Sequence, residues 1–451
     1  MARALVLEKR SPLARFELNP AQTIIAGFAA IILAGGLVLS MPAASADGQP
    51  TPFLTALFTA TSATCVTGLV VVDTATHWST FGQLVIMLLI QFGGLGYMTV
   101  ATLMALAIGR RIGLRERLVL QEAHNLYTLG GIVRFTRRVV LITLAIEAIG
   151  AILLMLRWRP DFGLARAAYL GIFHSISAFN NAGFDLMGGF RSLTGYAGDV
   201  SVNLTIALLI ILGGLGFTVL VDLGRPRRFT LHAKVVLATT AILIVAGTAL
   251  VYLLEFRNPD TLGRLPGWQG VLAAFFQSVT PRTAGFNTVD VGRLLDPTLM
   301  LLIALMFIGA SPGGTGGGIK TTTFVAPMAV IVAMLRGRPD PELFWRRLPP
   351  VVVYKAVTIA LVAVAFVVTM ATALAFTERV EFIQALFEVT SGFGTVGLST
   401  GITPSLSTVG RIIIMLTVFT GRVGLLTMAF ALTRRQQPAN FRYPEERIMI
   451  G

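Results

Sequence analysis

Apolar residues fill windows long enough to cross about 30 Å of hydrocarbon, which takes ~20 residues of helix, at 21–41, 81–108, 139–156, 202–221, 235–254, 298–335, 351–376 and 410–432. Eight spans follow from this pattern. The window 298–335 is interrupted by Ser311-Pro312-Gly313-Gly314-Thr315-Gly316-Gly317-Gly318, which predicts a broken helix rather than one rod. Each odd span is joined to the next by a long segment that holds a shorter apolar stretch, near 53–63, 167–179, 270–280 and 382–391. Each stretch of about 11 residues gives ~16 Å of helix, half a membrane, and predicts a re-entrant half-helix. Residues 1–20 carry Arg3, Lys9, Arg10 and Arg15 without an apolar core, which predicts a basic cytoplasmic lead and not a cleaved signal peptide.

The half-helices align on the glycine that follows each. The anchors Gly68, Gly183, Gly285 and Gly397 are preceded ten residues earlier by Phe58, Phe173, Phe275 and Phe387. Six residues before them stand Ser62, Ser177, Val279 and Ser391, and directly after come Leu69, Phe184, Phe286 and Leu398. These offsets predict one unit of helix, half-helix, loop and helix repeated four times. Gly93-Gly94-Leu95-Gly96 in the first copy matches Gly213-Gly214-Leu215-Gly216 in the second, a pattern that reads most simply as close helix packing. The anchors read differently, because non-helical backbone at membrane depth survives only where it is buried in protein or lines a water-filled path.

Charge agrees with a multi-pass membrane protein. Only 13% of the 451 residues are charged, 55% are hydrophobic and the mean hydropathy is +0.77. The net charge of +14 would suggest nucleic acid in a soluble chain. With the N-terminus inside, however, inner segments carry 24 of the 36 Lys and Arg, outer ones 10, and Lys320 and Arg422 lie within the membrane. The inner face is then +15 and the outer face −2, so the positive-inside rule accounts for the charge and no nucleic-acid partner is expected. One cysteine excludes a disulfide framework, and His77, His124, His174 and His232 show no metal-ligand spacing.

The segments ending on the anchors are Val66-Thr67-Gly68, Asn181-Ala182-Gly183, Thr283-Ala284-Gly285 and Thr395-Val396-Gly397. No carboxylate occurs among them, which leaves backbone carbonyls and a few hydroxyls to meet an ion. Carbonyl oxygens replace the hydration shell of a weakly hydrated cation such as K⁺, as in filters built from TVGYG loops. Half-helices that end at such a filter also direct their negative C-terminal dipoles toward the cation. Asp73, Asp185 and Asp290 follow three of the segments; they are either solvated loop acids or a cation-concentrating mouth.

On these motifs the whole chain resembles the Trk/Ktr/HKT superfamily of potassium transporters. Eight spans and the last-helix sequence Gly421-Arg422-Val423-Gly424 are most similar to its KtrB branch. The resemblance implies an all-α integral membrane fold, with eight transmembrane helices in four helix–pore-helix–helix repeats around one central pore. It implies that the four anchor segments form a K⁺ filter, with the TVG triplet retained only at Thr395-Val396-Gly397. It also implies a homodimer in the inner (cytoplasmic) membrane with both termini cytoplasmic. The partner implied is a cytosolic nucleotide-binding ring of RCK folds, KtrA in the bacterial system. The basic inner loops 109–138 and 336–350 offer a docking face, although positive-inside charge explains them equally well.

The organisation that follows is a lead at 1–20, repeat 1 at 21–110, a linker at 111–138, repeat 2 at 139–222 and a linker at 223–234. Repeat 3 with its broken last helix occupies 235–335, then a linker at 336–350, repeat 4 at 351–433 and a cytoplasmic tail at 434–451. The resemblance implies K⁺ as the transported ion and Na⁺ as an optional activator, with no covalently bound cofactor and no enzymatic role expected.

Arg422 falls near mid-membrane, where a lone cation costs at least ~2.5 kcal/mol. It is expected to form a barrier below the filter, with snorkelling to an interface as the alternative. The glycine run Gly313, Gly314, Thr315, Gly316, Gly317 and Gly318 cannot remain helical. It fails as a phosphate loop, because Ile319 separates Gly318 from Lys320 and no strand precedes it. The resemblance implies instead an intramembrane loop that blocks conduction and acts with Arg422 as the gate. Lys320 either pairs with a carbonyl or reaches the cytoplasmic interface. Glu147 is expected to hydrogen-bond at a helix interface, and Cys65 to pack beside the first filter.

Two other transport readings and one enzymatic reading compete. A four-repeat cation channel of relaxed K⁺/Na⁺ selectivity shares the architecture. A voltage-gated sodium or calcium channel needs a ladder of arginines and acidic filter side chains, and neither occurs. An intramembrane hydrolase needs facing histidines or a GxSxG elbow between a strand and a helix; Gly309-Ala310-Ser311-Pro312-Gly313 has the spacing, but no strand precedes it, and proteolysis would not require four matched glycine loops.

Overall fold

In the computed structural model, the structure describes residues 20–96, 132–224, 229–425, 427–428 and 446. Most of the lead at 1–20, much of the 111–138 linker, part of the 223–234 linker and almost all of the tail lie outside them. The second half of the 81–108 window does too.

The described helices are α1 (Pro20–Leu39), α2 (Phe53–Thr64), α3 (Thr74–His77), α4 (Thr80–Leu95), α5 (Ile132–Phe162), α6 (Leu164–Phe179), α7 (Val200–Gly214) and α8 (Phe217–Leu223). They continue as α9 (Leu231–Glu255), α10 (Gly267–Val279), α11 (Asp296–Phe307), α12 (Thr321–Leu335), α13 (Pro350–Glu378), α14 (Phe382–Gly394) and α15 (Thr408–Val423). The strands found pair Glu342–Leu343 with Arg346–Arg347 in one hairpin.

Four of these helices, Ala21–Leu39, Val133–Phe162, Leu231–Glu255 and Pro350–Glu378, are long and apolar enough to cross a membrane. Each opens one of the four units. Each is followed by one of the half-helices α2, α6, α10 and α14, which are buried on nearly every side. Phe58, Phe173, Phe276 and Phe387 at their centres are at most 1% exposed. Hydroxyl and carboxylate caps start the helices that follow. Ser79 accepts from Gly82 N at 3.2 Å, Asp199 from Val202 N at 3.0 Å and Ser407 from Gly410 N at 3.2 Å.

The second helices of the units differ from the straight spans expected. The window 202–221 is two helices, α7 and α8, that meet at 107°. Gly216 between them has φ 92° and ψ 141°. Gly96 after α4 (79°, 129°) and Gly424 after α15 (90°, 136°) adopt the same conformation. A side chain resists these angles, so glycine is the residue that lets the chain turn out of the helix at these points. The third unit breaks more widely, as the sequence predicts, between Phe307 at the end of α11 and Thr321 at the start of α12.

Candidate functional site: a ring of four glycine turns

The four half-helices end in turns of one geometry. Two residues before each glycine, Val66, Asn181, Thr283 and Thr395 have φ of 51°, 56°, 73° and 50°, and the glycines Gly68, Gly183, Gly285 and Gly397 have φ of 89°, 70°, 79° and 93°. Val and Thr resist the left-handed region, at a cost of about 1–3 kcal/mol each, so the surrounding packing must impose it. Thr67, Ala182, Ala284 and Val396 lie between the two positive-φ residues. Alternation of φ sign along such a strand turns successive carbonyls toward one side.

The turns close on one another in cyclic order. A Cβ on Gly68 would lie 2.5 Å from Ala182 O, and one on Gly183 would lie 2.7 Å from Ala284 O. A Cβ on Gly285 would strike Val396 O, and one on Gly397 would strike Thr67 O. The glycine of each unit therefore rests against the carbonyl that precedes the glycine of the next, and the fourth meets the first. Asn181 reinforces the ring by donating from Nδ2 to Thr283 Oγ1 at 2.9 Å and to Arg282 O at 3.2 Å.

Hydroxyls at the half-helix ends hold the turns. Ser62 Oγ accepts from Gly68 N at 3.0 Å and Ser391 Oγ accepts from Gly397 N at 3.1 Å, while Ser177 Oγ donates to Phe184 O at 2.7 Å. The third unit corrects the alignment read from the sequence. Its turn is one residue shorter: Ala284 N donates four residues back to Thr280 O, where Thr67, Ala182 and Val396 donate five back. Thr280, not Val279, therefore supplies the hydroxyl, donating to Phe286 O at 2.5 Å. Phe276, not Phe275, takes the buried aromatic position.

The segment 308–320 crosses the end of the ring where the turns begin. Gly317 N donates to Thr395 Oγ1 at 2.9 Å and Thr315 Oγ1 to Phe179 O at 3.2 Å. A Cβ on Gly316 would strike Thr283 Oγ1, so the glycines here allow the loop to lie directly against the turns. The loop is tied to the α7–α8 break as well, through Ser311 N to Gly214 O at 2.9 Å, Thr315 N to Gly213 O at 3.2 Å and Phe217 N to Gly313 O at 2.9 Å. Lys320 Nζ donates to Gly316 O at 2.7 Å and Gly317 O at 3.2 Å, which settles its two readings in favour of carbonyl pairing. Gly318 lies against Gly394 of the fourth unit, and Gly314 against Gly213 and Gly216 of the second.

Arg422 is half-buried and does not turn to an interface. Its guanidinium donates to Thr315 O of the loop and to Gly93 O at the end of α4, and its Cζ stands 5.9 Å from the centroid of Phe28. The loop and this arginine, expected to act together, are in direct contact through Thr315 O. The GGLG motif is in part the packing device expected, since Gly93 and Gly213 let α4 and α7 approach the Thr64 and Phe179 carbonyls. Gly421 does the same against Phe393 O, a third copy not recognised from the sequence.

Past the glycines, Asp73 and Asp185 line a cavity of about 30 Å³ together with Gly68 and Gly183. Asp73 accepts from Ala75 N, Thr76 N and, across the unit boundary, Phe190 N at 3.0 Å. Asp185 accepts from Met187 N at 2.9 Å; burial, with the Asp73 charge adding to it, pushes its carboxyl up to about 6. Asp290 instead pairs with Arg293 at 3.2 Å. Cys65 is fully buried, as expected of a packing residue.

Two buried carboxylates brace this face and were not singled out in the sequence. Glu388 in α14 accepts from Ser399 Oγ at 2.6 Å, Thr400 N at 2.9 Å and Thr403 Oγ1 at 2.7 Å. Glu255 accepts from Asn258 Nδ2 at 2.7 Å, Thr261 Oγ1 and Thr298 Oγ1 at 2.5 Å each and Leu295 N at 3.0 Å. The signal was present: an acid in or ending an apolar helix, followed by a run of Ser, Thr or Asn.

Residues 18–443 match the family model TrkH, described as a cation transport protein. The chain is 42% identical over 450 residues to the Ktr system potassium uptake protein B of Bacillus subtilis, covering 99% of this chain and 100% of that protein. It is 40% identical over 455 residues to the potassium/sodium uptake protein NtpJ of Enterococcus hirae, with 99% and 100% covered. The crystal structure of the potassium transporter TrkH from Vibrio parahaemolyticus superposes with a TM-score of 0.74 over 94% of this chain and 87% of that one, at 17% identity, a likeness of fold. Four repeated units closed on a glycine ring, with a family match over nearly the whole length, place this chain in the TrkH family of cation transport proteins.

Proposed function

We propose that the chain takes up K⁺ across the cytoplasmic membrane through the ring of glycine turns, which acts as the selectivity filter. The observation that carries this reading is the cyclic contact of the four turns, each presenting carbonyls held by alternating φ signs. Val66, Thr67 and Gly68, Asn181, Ala182 and Gly183, Thr283, Ala284 and Gly285, and Thr395, Val396 and Gly397 supply the oxygens that replace the hydration of K⁺. The ion enters from the face of Asp73 and Asp185, which is outside, and leaves toward the inner face, where the basic segments lie.

Below the filter, residues Gly313 to Gly318, Lys320 and Arg422 form the gate. The loop fills the path, and two cationic side chains add an electrostatic barrier to a cation. Conduction requires the loop to leave Thr395 and Thr315 to leave Arg422. The remaining assignments are four units bounded at 21–110, 139–222, 235–335 and 351–433, a homodimer, and a cytosolic nucleotide-binding RCK-type ring on the inner face. The 336–350 hairpin suits docking of that ring, because Trp345 is 96% exposed at its tip and Arg336, Arg338, Arg346 and Arg347 flank it. Na⁺ acts as an activator, a reading supported by the potassium/sodium designation of the Enterococcus relative.

A second reading, a channel with weak K⁺/Na⁺ discrimination, has one observation in its favour: only the fourth turn keeps Thr-Val-Gly. Expression in bacteria deficient in potassium uptake, on low-K⁺ medium, tests the first reading. Growth should be restored, and ⁸⁶Rb⁺ uptake should be inhibited by K⁺ far more than by Na⁺. Equal inhibition by the two ions would favour the second reading, and no uptake would reject both. Running the uptake with and without Na⁺ in the medium tests activation.

A further inference from the structure

Glu147 on α5 is 5% exposed at membrane depth and forms no salt bridge among the described residues. Its carboxylate is held by amides alone. Oε1 accepts from Asn180 Nδ2 at 2.8 Å and Oε2 accepts from Gln91 Nε2 at 3.2 Å. Asn180 Nδ2 also donates to Gln91 Oε1 at 3.0 Å, closing a three-membered network. Gly94 leaves room for it, since a Cβ there would strike Asn180 Oδ1. Ser175 Oγ fixes α6 to the same turn of α5 by donating to Glu147 O at 2.7 Å.

The position of the two amides gives the network a purpose beyond packing. Asn180 directly precedes Asn181, the first residue of the second turn, whose side chain reaches Thr283 of the third turn at 2.9 Å. Gln91 lies two residues before Gly93, whose carbonyl is one of the two that hold Arg422. One carboxylate therefore fixes both a filter turn and the helix end that anchors the barrier. We propose that Glu147 is a positioning residue that sets the second filter turn and the Arg422 anchor relative to each other, and so couples ion discrimination to gating. This inference rests on the filter and gate reading above.

The hydrogen-bond pattern makes the test specific. A carboxylate only accepts, and both donors that face Glu147 are amide N–H groups. Glu147→Gln puts a third amide into the network with one donor facing a donor, without changing side-chain volume. Glu147→Gln together with Gln91→Glu moves the carboxylate across to α4 and restores all three bonds. The new amide on α5 donates to the new carboxylate, which also accepts from Asn180, and the amide oxygen accepts the other Asn180 hydrogen.

The experiment measures K⁺ and Na⁺ half-saturation and maximal uptake in cells, with membrane abundance as control. Glu147→Gln should lower K⁺ over Na⁺ discrimination about tenfold, the scale of leaving a buried amide donor unpaired, and should raise flux at low K⁺ as the Arg422 anchor loosens. The double variant should return both quantities toward their original values. Unchanged discrimination and flux in Glu147→Gln would overturn the inference. So would a double variant that stays impaired, because Glu147 would then act through its own location and not through the network. If Glu147→Gln fails to accumulate in the membrane, the double variant alone decides: selective, gated uptake supports the inference, and its loss rejects it. Gly397→Ser is run in parallel. Unaltered discrimination there would defeat the filter reading itself, whereas a shift in Gly397→Ser beside a neutral Glu147→Gln defeats only the coupling.

Discussion

The backbone N–H of Gly317 donates to the hydroxyl of Thr395 across 2.9 Å, joining the 308–320 loop to the first residue of the fourth glycine turn. Both groups are buried, so water is not there to take the place of either partner. On the proposed filter and gate, this hydroxyl is also the latch of the loop beneath it. Thr395→Val keeps the shape and the β-branching but leaves a buried N–H unpaired, which costs ~1–3 kcal/mol. The cost falls on the closed loop, so maximal K⁺ flux is expected to rise by about tenfold. Thr395→Ser keeps the hydroxyl and should stay close to the original rate. Uptake of ⁸⁶Rb⁺ from both variants at equal membrane abundance checks this, and equal rates would mean that the latch does not hold the loop.

Arg422 ties three units together through Thr315 O, Gly93 O and the Phe28 ring. Arg422→Ala removes a positive charge from the path and both carbonyl contacts, so flux should rise and depend less on any regulatory partner. Arg422→Lys retains the charge but not the fork that reaches two carbonyls at once. It should therefore fall between the two, with flux raised by about tenfold or more, because a hydrogen bond to a charged donor worth ~1.5–3 kcal/mol is lost. If lysine matched alanine, the barrier would be built by geometry and not by charge. Single-channel or liposome flux measurements on the three proteins separate these outcomes.

The repeat was legible because it is written in residues that no other role requires: a glycine at left-handed φ, a hydroxyl that caps the turn and an aromatic that fills the half-helix core. Where the structure departs from that reading, a physical cause can be named. Alignment on Gly285 put Val279 and Phe275 in register, because a turn shortened by one residue leaves no mark in an ungapped comparison; Thr280 and Phe276 take those roles. The breaks at Gly216 and Gly424 were hidden inside apolar windows, since hydropathy records how long a segment is and not whether its backbone stays helical. Lys320 and Arg422 could be recognised as costly charges, but their partners are carbonyls, which carry no sequence signal. Glu147 does hydrogen-bond at a helix interface as expected, but its partners were not legible, because Gln91 and Asn180 are 89 residues apart and meet only when the second unit folds beside the first.

If uptake passes the Asp185 face as proposed, it should depend on pH. Burial raises its carboxyl to about 6, with repulsion from Asp73 adding to the shift and the Met187 N–H opposing it. Above pH 6 the mouth carries the Asp185 charge and attracts K⁺; as external pH falls through about 6 the group takes up a proton and the attraction weakens. The half-saturating K⁺ concentration should therefore rise on acidification. Asp185→Asn should be flat over the same range and resemble the original protein at low pH. The stability effect has the opposite sense. The folded state holds the proton more tightly than the unfolded state, so between the ordinary value of 3.8 and about 6 stability falls as pH rises, and Asp185→Asn should be the more stable protein at neutral pH. Half-saturation from pH 5 to pH 8, and thermal unfolding of the solubilised protein over the same range, test the two signs independently.

Glu388 offers a test of how the fourth turn is kept in place. Its Oε1 accepts from Ser399 Oγ, Thr400 N and Thr400 Oγ1, its Oε2 accepts from Thr403 Oγ1, and the residue is fully buried in α14. These bonds fold residues 399–403 back over the half-helix directly behind Gly397 and Leu398. If the carboxylate acts by geometry, the order of substitutions is fixed by what each can still bond. Glu388→Gln keeps an oxygen for Ser399 and Thr400 and donates its amide to the Thr403 hydroxyl, which can turn to accept, so it should transport nearly normally. Glu388→Ala abandons all of these partners inside the protein and should lose on the order of 3 kcal/mol of stability together with K⁺/Na⁺ discrimination. If instead the negative charge drew cations to the mouth, the glutamine variant would fall as far as the alanine variant in K⁺ affinity while keeping its stability. Measuring half-saturation and unfolding temperature on the same two variants separates the alternatives, because geometry moves both quantities in alanine alone and charge moves affinity in both.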